Sequence, residues 1–283
     1  MLPQTLLQAR ELSRPQASLG LGAALAVALT ACGAGTAGES IQFDVAVLSE
    51  ADGESVSSFT TRAGWNVELD RAEVILGPIH LHGGGLRASR WPPILDWLGP
   101  SKAYAHPADA TFDGGPPLGD VIDQHVVDLL SQGTIPLARV YGLAGQVETF
   151  EVQIHPSGYS TVGSKAHRMA SMGDHAFVLE GTASKNGEER QFVAAGNLGD
   201  EEPERTITSI ETDIWLVDHT ERAGPLVLHV DVAAWFRFVD FAAATELDER
   251  GRYRLPSGTV VGDSLRRGIR SRTAYHLEWS DHP

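Results

Sequence analysis

From Trp65 onward, apolar and polar residues alternate. Trp65, Val67 and Leu69 take one side and Asn66, Glu68 and Asp70 the other; Ala72, Val74 and Leu76 continue the period. A period of two is the mark of a strand with one buried face. Gly77-Pro78 reads as a bulge or break. Beyond it Ile79 and Leu81 fall on one face and His80 and His82 on the other, just before Gly83-Gly84-Gly85. The same alternation predicts strands at Ile41 to Val47, Gln146 to Ile154, Thr206 to Val217, Pro225 to Val230, and at the end through Tyr275, Leu277 and Trp279. HAFVLEGTAS and EERQFVAAG flank Asn186-Gly187. Both central positions of a type I′ turn need positive φ, so this dipeptide predicts a hairpin. Helical spacing shows in two places. Val121, Ile122, His125, Val126 and Leu129 form an apolar stripe that predicts a helix within Leu118 to Gln132, with a strand ending at Leu130 as the competing reading. Asp231 is placed to cap a helix over Val232 to Phe241. Trp91 to Leu98 could open a further short helix with proline in its first turn. About eight strands, two or three short helices and few βαβ spacings predict a mainly β chain folded as an antiparallel β-sandwich.

The first residues follow a different logic. Leu19 to Leu29 is apolar and rich in small residues, preceded by Arg10 and Arg14. The run is shorter than the roughly 20 residues a membrane-spanning helix needs, and it fits the hydrophobic region of a secretory signal. Leu29-Thr30-Ala31-Cys32 resembles the lipobox of bacterial lipoproteins. The resemblance implies a signal peptide over 1–31, cleavage before Cys32, a diacylglyceryl group on its thiol and N-acylation of the new terminus. Two or more acyl chains anchor a protein stably. Residues 32–40, which continue as GAGTAGES, form a flexible tether, and 41–283 form the sandwich domain. Gly33, where an aspartate would retain an enterobacterial lipoprotein in the inner membrane, points to the outer membrane.

Composition narrows the partners. The formal charge of −15 argues against nucleic acid and against an anionic membrane surface, and is compatible with cation binding. Cys32 is the single cysteine. Once lipidated it leaves no thiol for disulfides, thiolate metal sites or nucleophilic catalysis, so stability rests on a core that about 250 residues can supply.

No G-x-S-x-G elbow, P-loop, dinucleotide fingerprint, H-E-x-x-H or EF-hand loop occurs in the chain. Asp109 to Gly115 lacks the acidic spacing of a calcium loop. The histidines carry what chemistry there is. His80 and His82 would stand on one strand face, and neutral imidazole suits copper, zinc, nickel and iron. A third donor is required. His106, in the proline-flanked AYAHPADATFDGGPP stretch, is the first candidate, with His125 and His155 next. His229 and Asp231 form a second pair at the same spacing, ahead of Trp235, Phe236 and Phe238. For Asp231 the helix-capping role is the simpler assignment.

FVAAGNLGDEEPERTITSIETDIWLVD followed by GPLVLHVDVAAWF resembles the C-terminal part of the MbnP-like periplasmic copper-binding family, and GWNVELDRAEVILGPIHL resembles its early strand. That resemblance implies a β-sandwich and a copper site built from histidines, with Asp231 as the position that maps onto the family. The first functional expectation is therefore a lipid-anchored envelope protein that binds copper, before zinc, through His80, His82 and His106, without catalysis. The second is a structural module whose partner is another envelope protein. A hydrolase comes third.

Overall fold

The computed structural model describes residues 38–51, 55–84, 115–156, 172–199, 201–222 and 224–280. Cys32, the signal segment, His106 and the Trp91 to Leu98 helix lie outside the described residues. Thirteen strands among them make one mixed sheet that curls into a broadly sandwich-like fold, against the eight or so anticipated. They are β1 (Ser40–Glu50), β2 (Ser58–Thr60), β3 (Asn66–Gly83), β4 (Pro117–Val121), β5 (His125–Asp128), β6 (Ile135–Leu143), β7 (Gly145–Ile154), β8 (Phe177–Lys185), β9 (Glu188–Gly196), β10 (Thr206–Leu216), β11 (Leu226–Asp231), β12 (Tyr253–Arg254) and β13 (Tyr275–Trp279). Three helices, α1 (Glu202–Arg205), α2 (Val232–Phe236) and α3 (Val260–Ile269), complete the regular structure.

The alternating stretch from Asn66 is the hub. β3 runs for 18 residues and continues through Gly77-Pro78, a cis peptide, where its register with β7 slips. Its first half pairs with β2 and β8, and its second half with β4 and β7. One strand thus feeds two leaves of the fold. Val67, Leu69, Val74, Ile79 and Leu81 are buried from it, a period of two whose phase shifts after Leu69 and again past Gly77-Pro78. The hairpin at Asn186-Gly187 forms as expected, with φ of 52° and 84° at the two positions, joining β8 to β9.

Two expectations are corrected. The stripe in Leu118 to Gln132 is not helical but splits into β4 and β5. Val127 lies opposite Val74 and His125 opposite Leu76, so the apolar residues of this stretch are spent on sheet pairing with β3. Tertiary pairing outweighs a local helical pattern here. The sheet is also not wholly antiparallel: β1 runs parallel to β11 and β12 parallel to β9. β1 and β11 come from opposite ends of the chain, so no short hairpin connection imposes an antiparallel pairing.

The helix capped by Asp231 is present but short. The Asp231 Oδ1 accepts from the Ala234 N–H at 2.9 Å, and α2 ends at Phe236 rather than reaching Phe241. α3 was not anticipated. Thr259 caps it by accepting from the Gly262 N–H, and Val261, Leu265 and Ile269 are its buried stripe. A Cβ at Gly268 would collide with the Trp235 carbonyl, so only glycine lets α3 lie this close to α2. Around them Phe59, Phe192, Phe236, Phe241 and Trp65 form a connected aromatic cluster, with centroids 4.8–6.4 Å apart. Offset aromatic contacts in this range stabilise beyond simple burial. The cluster fixes α2, and with it the end of β11 where the candidate site begins.

Candidate metal centre

β11 is flanked by β1 on one side and β13 on the other. Leu226, Leu228 and Val230 face the core, which leaves Val227, His229 and Asp231 on the opposite face. In register, Leu48 lies beside His229 and Glu50 beside Asp231, while His276 lies opposite His229 and Glu278 opposite Val227. Three strands therefore bring Glu50, His229, Asp231, His276 and Glu278 onto one outward patch.

The Glu50 carboxylate bridges the Nδ1 edges of the two imidazoles. Its Oε2 is 3.0 Å from His229 Nδ1 and its Oε1 is 3.3 Å from His276 Nδ1. The rings stack 4.2 Å apart and only 15° from parallel. Glu278 Oε2 lies 4.0 Å from His229 Nε2. Glu50, His229 and His276 each offer a donor atom, and these three atoms lie within 4.8 Å of one another. Among the described residues this is the group of three such side chains that meets that limit. Asp231 is nearly buried, holds α2 through its cap and lies 4.0 Å from Arg237 Nη2.

The electrostatics suit a ligand role. Burial, and then the charge on His229 when protonated, push His276 below the ordinary imidazole value, while Glu50, Glu278 and Asp231 pull the other way without prevailing. A neutral imidazole keeps a nitrogen lone pair, which a metal requires. An ionised carboxylate can only accept, so His229 donates its Nδ1–H to Glu50 and turns its Nε2 lone pair away from it. The arrangement offers two ways to take an ion. Glu50 can orient the rings from behind while their Nε2 atoms ligate, as in carboxylate–histidine–metal triads. Alternatively Glu50 ligates together with both rings as a two-histidine, one-carboxylate set, which needs the rings to splay from their stack so that both lone pairs converge.

The histidines chosen from sequence are placed differently. His80 and His82 do share one side of β3, with ring centroids 6.4 Å apart. His80 Nδ1 bonds Asp120 Oδ1 at 2.8 Å across the β3–β4 pair. His82 is buried, at 2% exposure. Their proposed third donor, His106, lies outside the described residues. His125 is buried opposite Leu76, four positions from His80 on the partner strand. Both nitrogens of His155 are engaged: Arg205 donates to Nε2 at 2.9 Å, so Nδ1 donates to the Pro156 carbonyl. Sequence reading did weigh His229 with Asp231, but it missed Glu50 and His276. Their signal was the outward phase of His276 in the last alternating strand; what it lacked was the register that sets this strand against β11.

No protein-family model matches the chain, and no curated protein matches it. Among solved structures the chain is similar to MbnP from Methylosinus trichosporium, at 10% identity and a TM-score of 0.44, over 86% of this chain and 99% of that one. A likeness at this level carries no chemistry across, so the site stands on its own residues.

Proposed function

We propose that this protein is a lipid-anchored envelope protein that binds a transition metal ion, copper before zinc, on the face shared by β1, β11 and β13. The observation that carries the reading is the convergence of Glu50, His229 and His276 within 4.8 Å. Two imidazoles and a carboxylate with no thiolate suit divalent copper or zinc, and the general affinity order puts copper(II) first. Among the described residues no helix is long and apolar enough to cross a membrane. In this reading attachment comes from lipid on Cys32, and Cys32→Ala moves the protein from the membrane fraction to the soluble one and abolishes labelling by a clickable fatty acid.

His80, His82 and His106 remain a second donor set within the same proposal, supported by the shared face of β3 and the His80–His82 spacing. Calorimetric titration of the full chain with copper(II) and zinc(II) decides between the sets. The expected result is one tight site lost in His229→Ala/His276→Ala and kept in His80→Ala/His82→Ala. Heats that match the unsubstituted protein in both double variants would remove both donor sets, and no binding heat in the unsubstituted protein would leave a structural envelope module.

A further inference from the structure

The chain carries 22 lysines and arginines against 37 acidic residues. Five of those basic residues line a single cleft of about 1150 Å³: Arg237, Arg254, Arg266, Arg267 and Arg270. Only Glu204 and Asp263 oppose them in its lining. The walls are β9 near Gly196, the C-terminal end of α2, and α3 with the segment leading into it. In a protein of net charge −15, such a local excess of guanidinium runs against the whole-molecule field and needs an explanation.

Four arginines elsewhere in the fold are ion-paired. Arg71 meets Glu73 and Glu180, Arg139 meets Asp44, Arg190 meets Glu188, and Arg252 meets Asp248 and Glu180. In the cleft Arg237 lies 4.0 Å from Asp231, while among the described residues no ion pair joins Arg254, Arg266, Arg267 or Arg270 to a carboxylate. Asp263 is engaged as a turn cap, its Oδ1 accepting from the Gly258 N–H at 2.9 Å. Arg266 is the informative member. It is held among Asn197, Gly262 and the Phe177 ring, donating Nε–H to the Asn197 carbonyl at 3.1 Å and Nη1–H to the Gly262 carbonyl at 3.3 Å. It presses so closely on β9 that a Cβ at Gly196 would come within 2.7 Å of its Nη2. Burial lowers its pKa against the opposing charge of Asp263, the direction expected of a cation partly removed from water. A partly desolvated guanidinium is costly unless it is compensated. A planar fork of donors is matched best by the oxygens of phosphate or carboxylate.

We infer that this cleft binds a small polyanion, a molecule bearing two or more phosphate or carboxylate groups, with Arg266 at its base and Arg254, Arg267 and Arg270 around its mouth. Leu198, Leu255 and Phe238 give it an apolar side that would accept the carbon frame of such a ligand. Its volume is on the scale of small-molecule sites. The inference is independent of metal binding at Glu50, His229 and His276.

The test is calorimetry of the full chain with pyrophosphate and with citrate, repeated at high salt, alongside sedimentation with phosphatidylglycerol vesicles. Saturable binding of either small anion that weakens with salt supports the inference. Arg254 and Arg270 are exposed, so Arg254→Gln/Arg270→Gln should fold normally and weaken that binding at least tenfold. Arg250→Gln, outside the cleft, should leave it within about twofold. No binding of either anion overturns the inference, as does equal weakening by Arg250→Gln, which would mean bulk charge alone. Binding to vesicles with no response to pyrophosphate or citrate also overturns it, since the anion would then be a lipid headgroup in a bilayer.

Discussion

Two pairs of histidines lie on this fold, and they are brought together by different means. His80 and His82 are neighbours along one strand. His229 and His276 are neighbours across two. Residues two apart in a strand are separated by about 6.6 Å of rise, whereas directly opposed residues on paired antiparallel strands sit about 4.5–5.5 Å apart. The rings follow suit, at 6.4 Å for the first pair and 4.2 Å for the second. A tetrahedral ion with bonds of about 2.0–2.1 Å needs its nitrogens roughly 3.3 Å apart. The cross-strand pair begins closer to that separation and already has a carboxylate bridging its Nδ1 atoms. The along-strand pair has given one nitrogen to Asp120 and buried its other ring. Register across strands therefore brings two imidazoles nearer to a chelating separation than spacing along one strand does.

The largest expected effect breaks the comparison directly. His229→Ala/His276→Ala should reduce copper(II) affinity by at least about 100-fold, or about 2.7 kcal/mol, while His80→Ala/His82→Ala changes it less than about threefold. The reverse outcome would move the site to β3 and bring His106 into it. Next comes Glu50→Gln, which keeps the shape and removes the charge. Loss of an orienting carboxylate typically costs 10–100-fold in metal affinity. A larger loss, equal to that of the histidine variants, would mean that Glu50 ligates the ion rather than orienting the rings. Titration with a competing chromophoric chelator reads both.

How far the site could be seen in advance depends on which distances local pattern encodes. The Asn186-Gly187 turn was legible because its φ requirement is a property of two adjacent residues. The Asp231 cap was legible because its partner, Ala234, is three residues away. β4 and β5 were not, because Val127 earns its place opposite Val74 only once β3 is beside it. The candidate site was the least legible part: Glu50 precedes His229 by 179 residues, and the parallel pairing of β1 with β11 has no local signature. α3 is a different failure. Thr259 as cap and Val261, Leu265 and Ile269 at helical spacing were in plain view, but two arginines and two glycines over the same turns obscured the stripe.

A smaller effect separates scaffold from site. Asp231→Ala removes the cap of α2 and should destabilise the fold by about 1 kcal/mol. Asp231→Asn keeps a capping oxygen and should recover most of that loss in a urea titration. If Asp231→Asn restores stability yet weakens copper binding, Asp231 contributes charge to the centre as well as anchoring its helix.

The smallest effect concerns pH, and it sharpens the comparison because it uses no metal. The folded-state pKa of His276 lies below the unfolded value of about 6.5. Above that unfolded value both states are neutral at this position and its contribution is constant. As pH falls below it, the unfolded chain takes up a proton that the folded chain resists, so stability declines until the folded pKa is passed. The slope is shallow, since His276 is half exposed and solvent screens the repulsion from His229. In His276→Gln the stability of the metal-free protein should fall less between pH 6.5 and 5 than in the parent. In His229→Gln part of the same gain should appear, because the second-largest cause of the shift has been removed. Chemical denaturation at pH 7, 6 and 5 would show it. A parent curve that is flat through this range, or a slope untouched by either substitution, would mean that the two rings do not sense each other and that their stack is no more than contact.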